Sequence, residues 1–406
     1  MIGVIFLILF FFGINQLIFG AYSKQYNFID KNKLNLLYLY HSVFYGVYLW
    51  YAYNNPSDSK RYYKDVDHYS GDWLPIFGTG TEFMNFLTYP FTRLGFSYEM
   101  TMFAFSWFGF LGFFYAYLFF REKIPIRIVV FKKIDLFTLI LFFPNMHFWT
   151  ASLGKGSVIF LGLMMFTYAI VKPGPRWFLL GLGSIIIYLV RPHVFMFVAV
   201  GTVLGYMSGR EKISFRRKFL IYAVLITGLI LAKDQILAVV GLQGSDDLVG
   251  DFGEFSEKRT DDLSSAGSGV NMASYPLPLK LFTFWFRPLF IDAPNFLGII
   301  TSFENLIYLL LFFKILKKDF IRFLRKSPSL VKMSFVIFLS TSFAMTFVMS
   351  NLGIIMRQKS MVMYYIFFVI YYYLAEKKYY KILLRRKKIK ARSERLNKKV
   401  DVATAQ

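Results

Sequence analysis

The sequence contains no cysteine, which excludes disulfide bonds, cysteine-ligated metal sites and a thiol nucleophile. It also lacks the His-Glu-x-x-His pattern of zinc proteases and the Gly-x-Ser-x-Gly pattern of serine hydrolases. Acidic residues are scarce, with 24 Asp and Glu against 47 Lys and Arg. These absences remove the common protease and hydrolase classes and leave a basic, apolar chain to explain.

The composition is that of a membrane protein. Of the 406 residues 56% are hydrophobic and 21% aromatic, and the mean hydropathy is +0.47, too apolar for a soluble domain of this size. Apolar runs of membrane-spanning length predict an all-α, polytopic helical membrane protein with about 11 spans. The predicted spans are Ile2 to Ala21, Leu34 to Tyr53, Met100 to Phe120, Leu136 to Phe148, Val158 to Val171, Trp177 to Val190, Val194 to Met207, Phe219 to Val240, Leu297 to Leu316, Met333 to Ser350 and Met361 to Ala375.

Span length and flanking charge add two expectations. The first run has no basic region before it, as a signal peptide would, so we expect it to be an uncleaved anchor. Several later runs have only about 13–15 apolar residues, which favours broken or re-entrant helices around a water-filled cavity at the outer face.

Basic residues predict the orientation, because Lys and Arg concentrate in cytoplasmic loops. With the N-terminus outside and the C-terminus cytoplasmic, 34 of the 47 Lys and Arg fall on the cytoplasmic side. The predicted organisation is one transmembrane domain over residues 1–376 and a basic cytoplasmic tail over 377–406. The tail is expected to lie against anionic lipid headgroups rather than to bind nucleic acid.

Two outer loops are long, at residues 54–99 and 241–286. The second is rich in Gly, Ser and Asp. It is expected to be either a mobile flap over a site or a polar loop kept soluble by its charge.

A polar stretch from Pro144 to Ser157 interrupts two apolar runs and is expected to lie at the outer face. Within it, Gly154-Lys155-Gly156-Ser157 opens a helix whose N-terminal N–H groups favour an anion, and the flanking glycines allow close approach. It is not a nucleotide P-loop, because position 149 is Trp and Gly follows the Lys.

Several cations sit on the outer side, where the orientation rule disfavours them. Ionisable groups at membrane depth usually line a functional cavity, and Arg and Lys are the residues that hold phosphates. The candidate diphosphate-binding residues are Lys155, Arg191, Arg287, Arg357 and Lys359. Each also has a structural interpretation: Lys155 could extend to the interface, and Arg287 could pair with Asp292.

Carboxylates and histidines supply the candidate acids and bases. Asp58 lies in a segment that mixes acid, hydroxyl, base and aromatic groups, and Glu304 lies within an apolar span. His147 and His193 are alternatives for proton transfer, although both could equally be packing residues. Aromatic rings that could stack on sugars are Tyr62, Tyr63, Trp73 and Trp149. A single Asp65-x-Asp67 pair is weak support for a divalent ion, so neither a metal nor a cofactor is predicted.

The segments around His147, Gly154 to Ser157, Arg191-Pro192-His193, Arg287 to Glu304 and Asn351 to Lys359 resemble bacterial polysaccharide-cluster membrane proteins. They are similar to O-antigen polymerases of the Wzy type, within the broader GT-C-like class of multi-span glycosyltransferases. The second outer loop is shorter than the large periplasmic loops of some of these polymerases.

The resemblance implies a polymerase in the bacterial cytoplasmic membrane that moves a growing glycan from undecaprenyl diphosphate onto another lipid-linked repeat. It implies a chain-length regulator and a flippase as partners. Three alternatives stay open: a glycosyltransferase that uses a polyprenyl monophosphate sugar, a non-enzymatic flippase or exporter of lipid-linked sugars, and a ligase.

Overall fold

A computed structural model describes residues 2–210, 214–231, 233–239, 247–264, 269–270, 272, 274–293 and 295–404. Within these residues the chain is mostly helical and has almost no strands, as the hydropathy pattern predicts. The predicted second outer loop, residues 241–286, falls partly outside the described ranges, as do residues 405–406 of the predicted tail.

The bounds of the elements are as follows. The first helices are α1 (Ile2–Gln25), α2 (Lys31–Asn54), α3 (Asp58–Asp67), α4 (Thr81–Arg93), α5 (Tyr98–Lys123), α6 (Leu136–Leu141), α7 (Pro144–Thr150), α8 (Lys155–Ala169) and α9 (Trp177–Val190). They are followed by α10 (Pro192–Ser208), α11 (Phe215–Leu231), α12 (Lys233–Val239), α13 (Leu248–Ser264), α14 (Leu277–Phe286), α15 (Phe296–Phe312), α16 (Lys318–Arg325), α17 (Ser329–Val348) and α18 (Leu352–Thr404). Two 3-10 turns, Leu74–Ile76 and Phe290–Asp292, and an antiparallel hairpin of β1 (Val129–Val130) with β2 (Ile134–Asp135) are also present.

Among the described helices, α1, α5 and α17 are long and apolar enough to cross a membrane. Helix α18 adds a fourth candidate if its two parts, Leu352–Lys359 and Met361–Lys390, which meet at a bend of 53°, are one span. Other apolar helices are shorter; α8, with 15 residues, is about 22 Å long against a hydrocarbon core of about 30 Å. The number of spans and their orientation stay predictions.

Helix α5 lies at the centre of the fold. Nearly all of its apolar side chains are buried, and it packs against α1, α2 and α8. Glycines allow this closeness: a Cβ at Gly109 would lie 2.0 Å from the backbone oxygen of Thr150, and one at Gly112 would lie 2.5 Å from the Phe160 ring. The buried α5 therefore serves as a fixed support for the segment that holds α7 and α8.

The predicted span Leu136 to Phe148 is two helices, α6 and α7, rather than one. Pro144 lacks an N–H group and cannot continue α6, but it suits the first position of α7. The predicted outer loop 54–99 also contains regular structure, the polar helices α3 and α4. At the other end of the chain, α18 runs uninterrupted through the domain boundary predicted at residue 376.

Candidate functional site

A narrow pocket lies where the polar stretch before α8 meets α2, α3 and the start of α18. Its space, about 30 Å³, holds only a water molecule or two. Tyr48, Asp58, Tyr62, Trp149, Ser152, Leu153, Gly154, Lys155, Gly156 and Arg357 line it. The pocket thus brings together a predicted base, two predicted cations and two predicted sugar-stacking rings.

Local sequence explains the shape of the Gly154 to Ser157 turn. The Ser157 hydroxyl donates to the backbone oxygens of Ser152 and Gly154, both at 2.9 Å, and so fixes the turn that precedes α8. A Cβ at Gly156 would lie 2.3 Å from the backbone oxygen of Trp149, so only glycine allows α8 to begin this close to α7. The glycine requirement positions the Lys155 side chain at the pocket.

The cations Lys155, Arg191 and Arg357 come from separate helix ends and lie within electrostatic reach of one another. Lys155 interacts with Arg191, Asp58, Arg357 and Arg61, and Arg191 interacts with Arg357, Tyr62 and Asp58. The predicted convergence of cations from distant segments therefore occurs for these three side chains. Arg61, whose guanidinium lies 5.6 Å from the Tyr62 ring centre, is a fourth.

Polar atoms beside these cations remain unsatisfied. The Nε atom of Arg191 and the Nδ1 atom of His193 are buried, and neither has a hydrogen-bond partner within the described part of the chain. His193 also lies close enough to Arg191 and Lys155 to interact electrostatically with both. Buried polar atoms are rarely left without partners, so this side of the pocket suits a ligand that supplies acceptor oxygens.

Asp58 and Arg357 form an ion pair at the mouth of the pocket. The distance from Arg357 Nη1 to Asp58 Oδ2 is 2.9 Å, and the side chains are 37% and 46% exposed. Burial and the Asp58 carboxylate raise the pKa of the neighbouring Tyr62 phenol, so Tyr62 stays a neutral donor. Four cations surround one carboxylate here, and a dianion would offset two of the three excess positive charges.

The first residue of α4 contacts the Lys155 side chain. Lys155 Nζ donates to the Thr81 hydroxyl at 3.3 Å, and the Gly80 N–H donates to the Leu189 carbonyl of α9 at 2.7 Å. Gly80 has a backbone φ of +64°, a value that residues other than glycine rarely adopt. Sequence reasoning missed Gly80, Thr81 and Arg61; a glycine-rich segment followed by an apolar helix pattern could have identified the first two.

No protein-family model, curated protein or solved structure matches this chain.

Two predicted cations, Arg287 and Lys359, lie in a second cluster, away from Lys155. Lys359 is fully buried, and its ammonium donates to the Arg287 carbonyl at 2.6 Å and to Asn305 Oδ1 at 2.8 Å. The Arg287 guanidinium pairs with the Asp292 carboxylate. Both cations have protein partners, and neither lines the pocket of Lys155.

Glu304 belongs to this second cluster and is 3% exposed. It accepts hydrogen bonds from the Asn145 N–H, at 2.7 Å, and from the Tyr308 hydroxyl. The Asn145 side chain in turn donates to the Met356 carbonyl and accepts from Trp149 Nε1 at 3.1 Å. Glu304 thus lies against the N-terminus of α7 and connects it to α15 and α18.

His147 is fully enclosed and points away from the pocket. Its Nδ1 lies 2.8 Å from Nδ1 of His41, its Nε2 lies 2.8 Å from the Leu141 carbonyl, and its ring stacks on Phe113. Both ring nitrogens are engaged within the protein. The arrangement fits a packing role for His147, the alternative that the sequence left open.

Of the four predicted sugar-stacking rings, two line the pocket and two lie outside its lining. Trp149 and Tyr62 line the pocket, whereas the Tyr63 hydroxyl donates to the Phe96 carbonyl at 2.9 Å. Trp73 is 41% exposed, donates to the Phe86 carbonyl and stacks on the Phe86 ring, outside the pocket lining. Across the described residues, no group of three or more His, Asp or Glu side chains is arranged to hold a metal ion.

Proposed function

We propose that this chain is a membrane glycosyltransferase that polymerises lipid-linked oligosaccharide repeats at the outer face of the bacterial cytoplasmic membrane. The donor would be a glycan on undecaprenyl diphosphate, and the acceptor a sugar hydroxyl of another lipid-linked repeat. One observation carries the proposal: Lys155, Arg191 and Arg357, from separate helix ends, meet beside Asp58 and two aromatic rings.

The charge balance supports a phosphate ligand. Lys155, Arg191, Arg357 and Arg61 surround a single carboxylate, and the Arg191 Nε has no partner within the described residues. Guanidinium groups match pairs of phosphate oxygens, and a low-dielectric setting strengthens each contact. The cations would hold the diphosphate and stabilise the charge that develops on it as it leaves. In many enzymes such electrostatic stabilisation contributes most of the rate enhancement.

Asp58 is the base that the geometry favours. It lines the pocket and is partly exposed, whereas Glu304 is buried and already accepts two hydrogen bonds. The acceptor hydroxyl oxygen would bond to the anomeric carbon of the donor while the bond from that carbon to the diphosphate oxygen breaks. The electron pair leaves with the diphosphate, and the hydroxyl proton passes to Asp58. His193 is the second candidate for this proton.

The Asp58–Arg357 pair suggests an order of events. As it stands, the pocket is too small for a diphosphate, and this pair closes its mouth. An incoming phosphate would compete with Asp58 for Arg357, and its binding would both open the pocket and free the carboxylate. Asp58 would then become available as a base only when the donor is bound.

The first test is polymer length in cells that depend on this chain. Arg191→Ala and Arg357→Ala should each abolish long-chain polymer and leave single lipid-linked repeats intact. Lys64→Ala is the matched control, since Lys64 is an exposed cation on α3, outside the pocket lining, and it should make full-length chains. Full-length polymer from both arginine variants would refute the proposal.

A second measurement separates the alternative enzyme classes. Purified chain should transfer glycan from a diphosphate-linked donor with the same rate before and after chelation. Activity only with a monophosphate-linked donor, or its loss on chelation, would favour the polyprenyl monophosphate enzyme. Movement of lipid-linked sugar between leaflets without new glycosidic bonds would favour a flippase.

A further inference from the structure

One buried amide lies between the pocket and the second cluster. Asn145, the second residue of α7, is 4% exposed, and its backbone N–H donates to Glu304 of the second cluster. Its side chain makes two other contacts, with Trp149 and with the Met356 carbonyl. Trp149 lines the pocket, and Met356 directly precedes Arg357, which also lines it. Asn145 itself is not part of the pocket lining.

The carboxamide has only one orientation that suits both neighbours. Its Oδ1 lies 3.1 Å from the indole Nε1 of Trp149, a group that can only donate. Its Nδ2 lies 3.0 Å from the Met356 carbonyl oxygen, a group that can only accept. A carboxylate or an apolar side chain of the same size could not make both contacts, so the position requires an amide.

The contact with Trp149 orients one wall of the pocket. Asn145 and Trp149 are four residues apart and therefore lie on the same face of α7. The indole also packs edge-on against the rings of Phe148 and Tyr48, with centroids 5.0 and 6.1 Å away. These ring contacts are not directional in the way that the bond from Nε1 to Asn145 is, so the amide sets the direction in which the indole points.

The contact with Met356 holds the turn that carries Arg357. The Met356 carbonyl belongs to the first part of α18, before its 53° bend. Sharp bends are found where a side chain hydrogen bonds into the helix ladder, as the Asn145 amide does here. The place of Arg357, which pairs with Asp58 at the mouth of the pocket, thus depends on an amide from another helix.

We propose that Asn145 is the positioning residue of the pocket, which sets Trp149 and Arg357 relative to each other so that a phosphate and its adjoining sugar ring can be held at once. Asn145 acts through these two side chains and does not touch the ligand. This role rests on the proposed function for the identity of the ligand, and on the two hydrogen bonds for the placement of the side chains.

The first measurement is the Kd of farnesyl diphosphate for the purified full chain in nanodiscs. Asn145→Asp keeps the oxygen that faces Trp149 but replaces the donor that faces Met356 with a second oxygen. It should raise the Kd by about tenfold, the loss expected for one charge-assisted contact, because Arg357 is no longer held at the pocket. Asn145→Ser, which is too short to reach both partners and adds no charge, should act in the same direction and serves if Asn145→Asp does not fold.

Asn305→Asp is the matched control. Asn305 is also fully buried, donates from Nδ2 to the Pro288 carbonyl at 2.7 Å and accepts from Lys359 at 2.8 Å. The same substitution there should leave the Kd unchanged, because Asn305 lies in the second cluster, outside the pocket lining. An equal rise in Kd for both variants would mean that any change in the buried network weakens binding, and would overturn the proposal.

A double-mutant cycle separates positioning from general destabilisation. In an Arg357→Ala background the contact of Arg357 with the diphosphate is already lost. Asn145→Asp should then raise the Kd by less than about twofold further. A further rise of about tenfold would show that Asn145 acts independently of Arg357 and would overturn the proposal.

A measurement without any ligand separates this role from the proposed function. The chain has no cysteine, so Arg357→Cys introduces a single thiol at a partly exposed position. Its rate of reaction with a methanethiosulfonate reagent should change at least about threefold when Asn145→Asp is added, because the turn that carries residue 357 loses a buried hydrogen bond. Adding Asn305→Asp should leave the rate unchanged.

A thiol reaction rate that Asn145→Asp does not alter would overturn the positioning role even if the chain binds farnesyl diphosphate. A rate altered by Asn145→Asp alone, in a chain that binds no farnesyl diphosphate, would support the positioning role and place the failure in the proposed function.

Discussion

Replacing Gly156 by alanine tests how the pocket is built. The added methyl group would lie 2.3 Å from the backbone oxygen of Trp149, far closer than van der Waals contact allows. That oxygen belongs to the backbone of α7, and the hydrogen bond from the Asn145 N–H to Glu304 holds the start of this helix in place. Relief of the clash must therefore shift α8, and Lys155 with it, away from α7.

The size of the effect follows from two opposing contributions to stability. Overpacking a tight contact costs about 1–3 kcal/mol, and the better helix propensity of alanine returns about 0.5–1 kcal/mol. A net destabilisation of about 1–2 kcal/mol is expected. Gly154→Ala is the matched control: the nearest atom, Ser152 Oγ, is 4.0 Å away, and a φ of 170° suits any residue. It should change stability by less than about 0.5 kcal/mol.

The assay compares the thermal unfolding of the two alanine variants and the unmodified chain in one detergent, together with polymer length in cells. Gly156→Ala should unfold at a lower temperature and make shorter or no polymer. Gly154→Ala, at a residue that also lines the pocket, is a control for stability alone and should unfold with the unmodified chain. Equal melting of both variants and the unmodified chain would refute the close α7–α8 contact on which the pocket geometry depends.

Two further outcomes follow from the carboxylates. Asp58→Asn should lower the rate of glycosyl transfer at least about 100-fold, as expected for the loss of a general base. It should change the free energy of unfolding by less than about 1 kcal/mol, because the ion pair with Arg357 is partly exposed. Asp65→Asn, on the same helix, should leave transfer intact, and equal activity in both variants would remove Asp58 from the mechanism. Glu304→Ala should destabilise the chain by about 1–3 kcal/mol for each buried donor that it leaves without an acceptor, and Glu304→Gln should destabilise it by less. Thermal unfolding measures both effects. A melting temperature unchanged by Glu304→Ala would contradict the structural role of Glu304.

Hydropathy located most of the apolar helices, but α14 (Leu277–Phe286) lies within the predicted second outer loop. The predicted span Trp177 to Val190 coincides with α9, since the run is bounded by Pro175 and Arg176 on one side and Pro192 on the other. The α6–α7 break was missed because the apolar run continues through Phe143 although Pro144 prevents a continuous helix. Helices α3 and α4 were missed because their polar faces hide the pattern that marks a membrane span.

The site was predicted in part for a different reason. Lys and Arg residues predicted on the outer side of the membrane, where the orientation rule disfavours them, indicate a functional cavity. This rule placed Lys155, Arg191 and Arg357 in one predicted site. The same rule cannot tell which cations have partners nearby. Arg287 pairs with Asp292, five residues away, and Lys359 reaches Asn305, a contact made by two segments distant in sequence.

The most direct test of the central claim is binding of farnesyl diphosphate to the purified full chain in nanodiscs. Lys155→Ala, Arg191→Ala and Arg357→Ala should each raise the Kd by about tenfold or more, the loss expected for one charge-assisted contact, and Lys64→Ala should leave it unchanged. Added salt should weaken binding to the unmodified chain. An identical Kd in all four variants and the unmodified chain would show that these cations do not form a common diphosphate site.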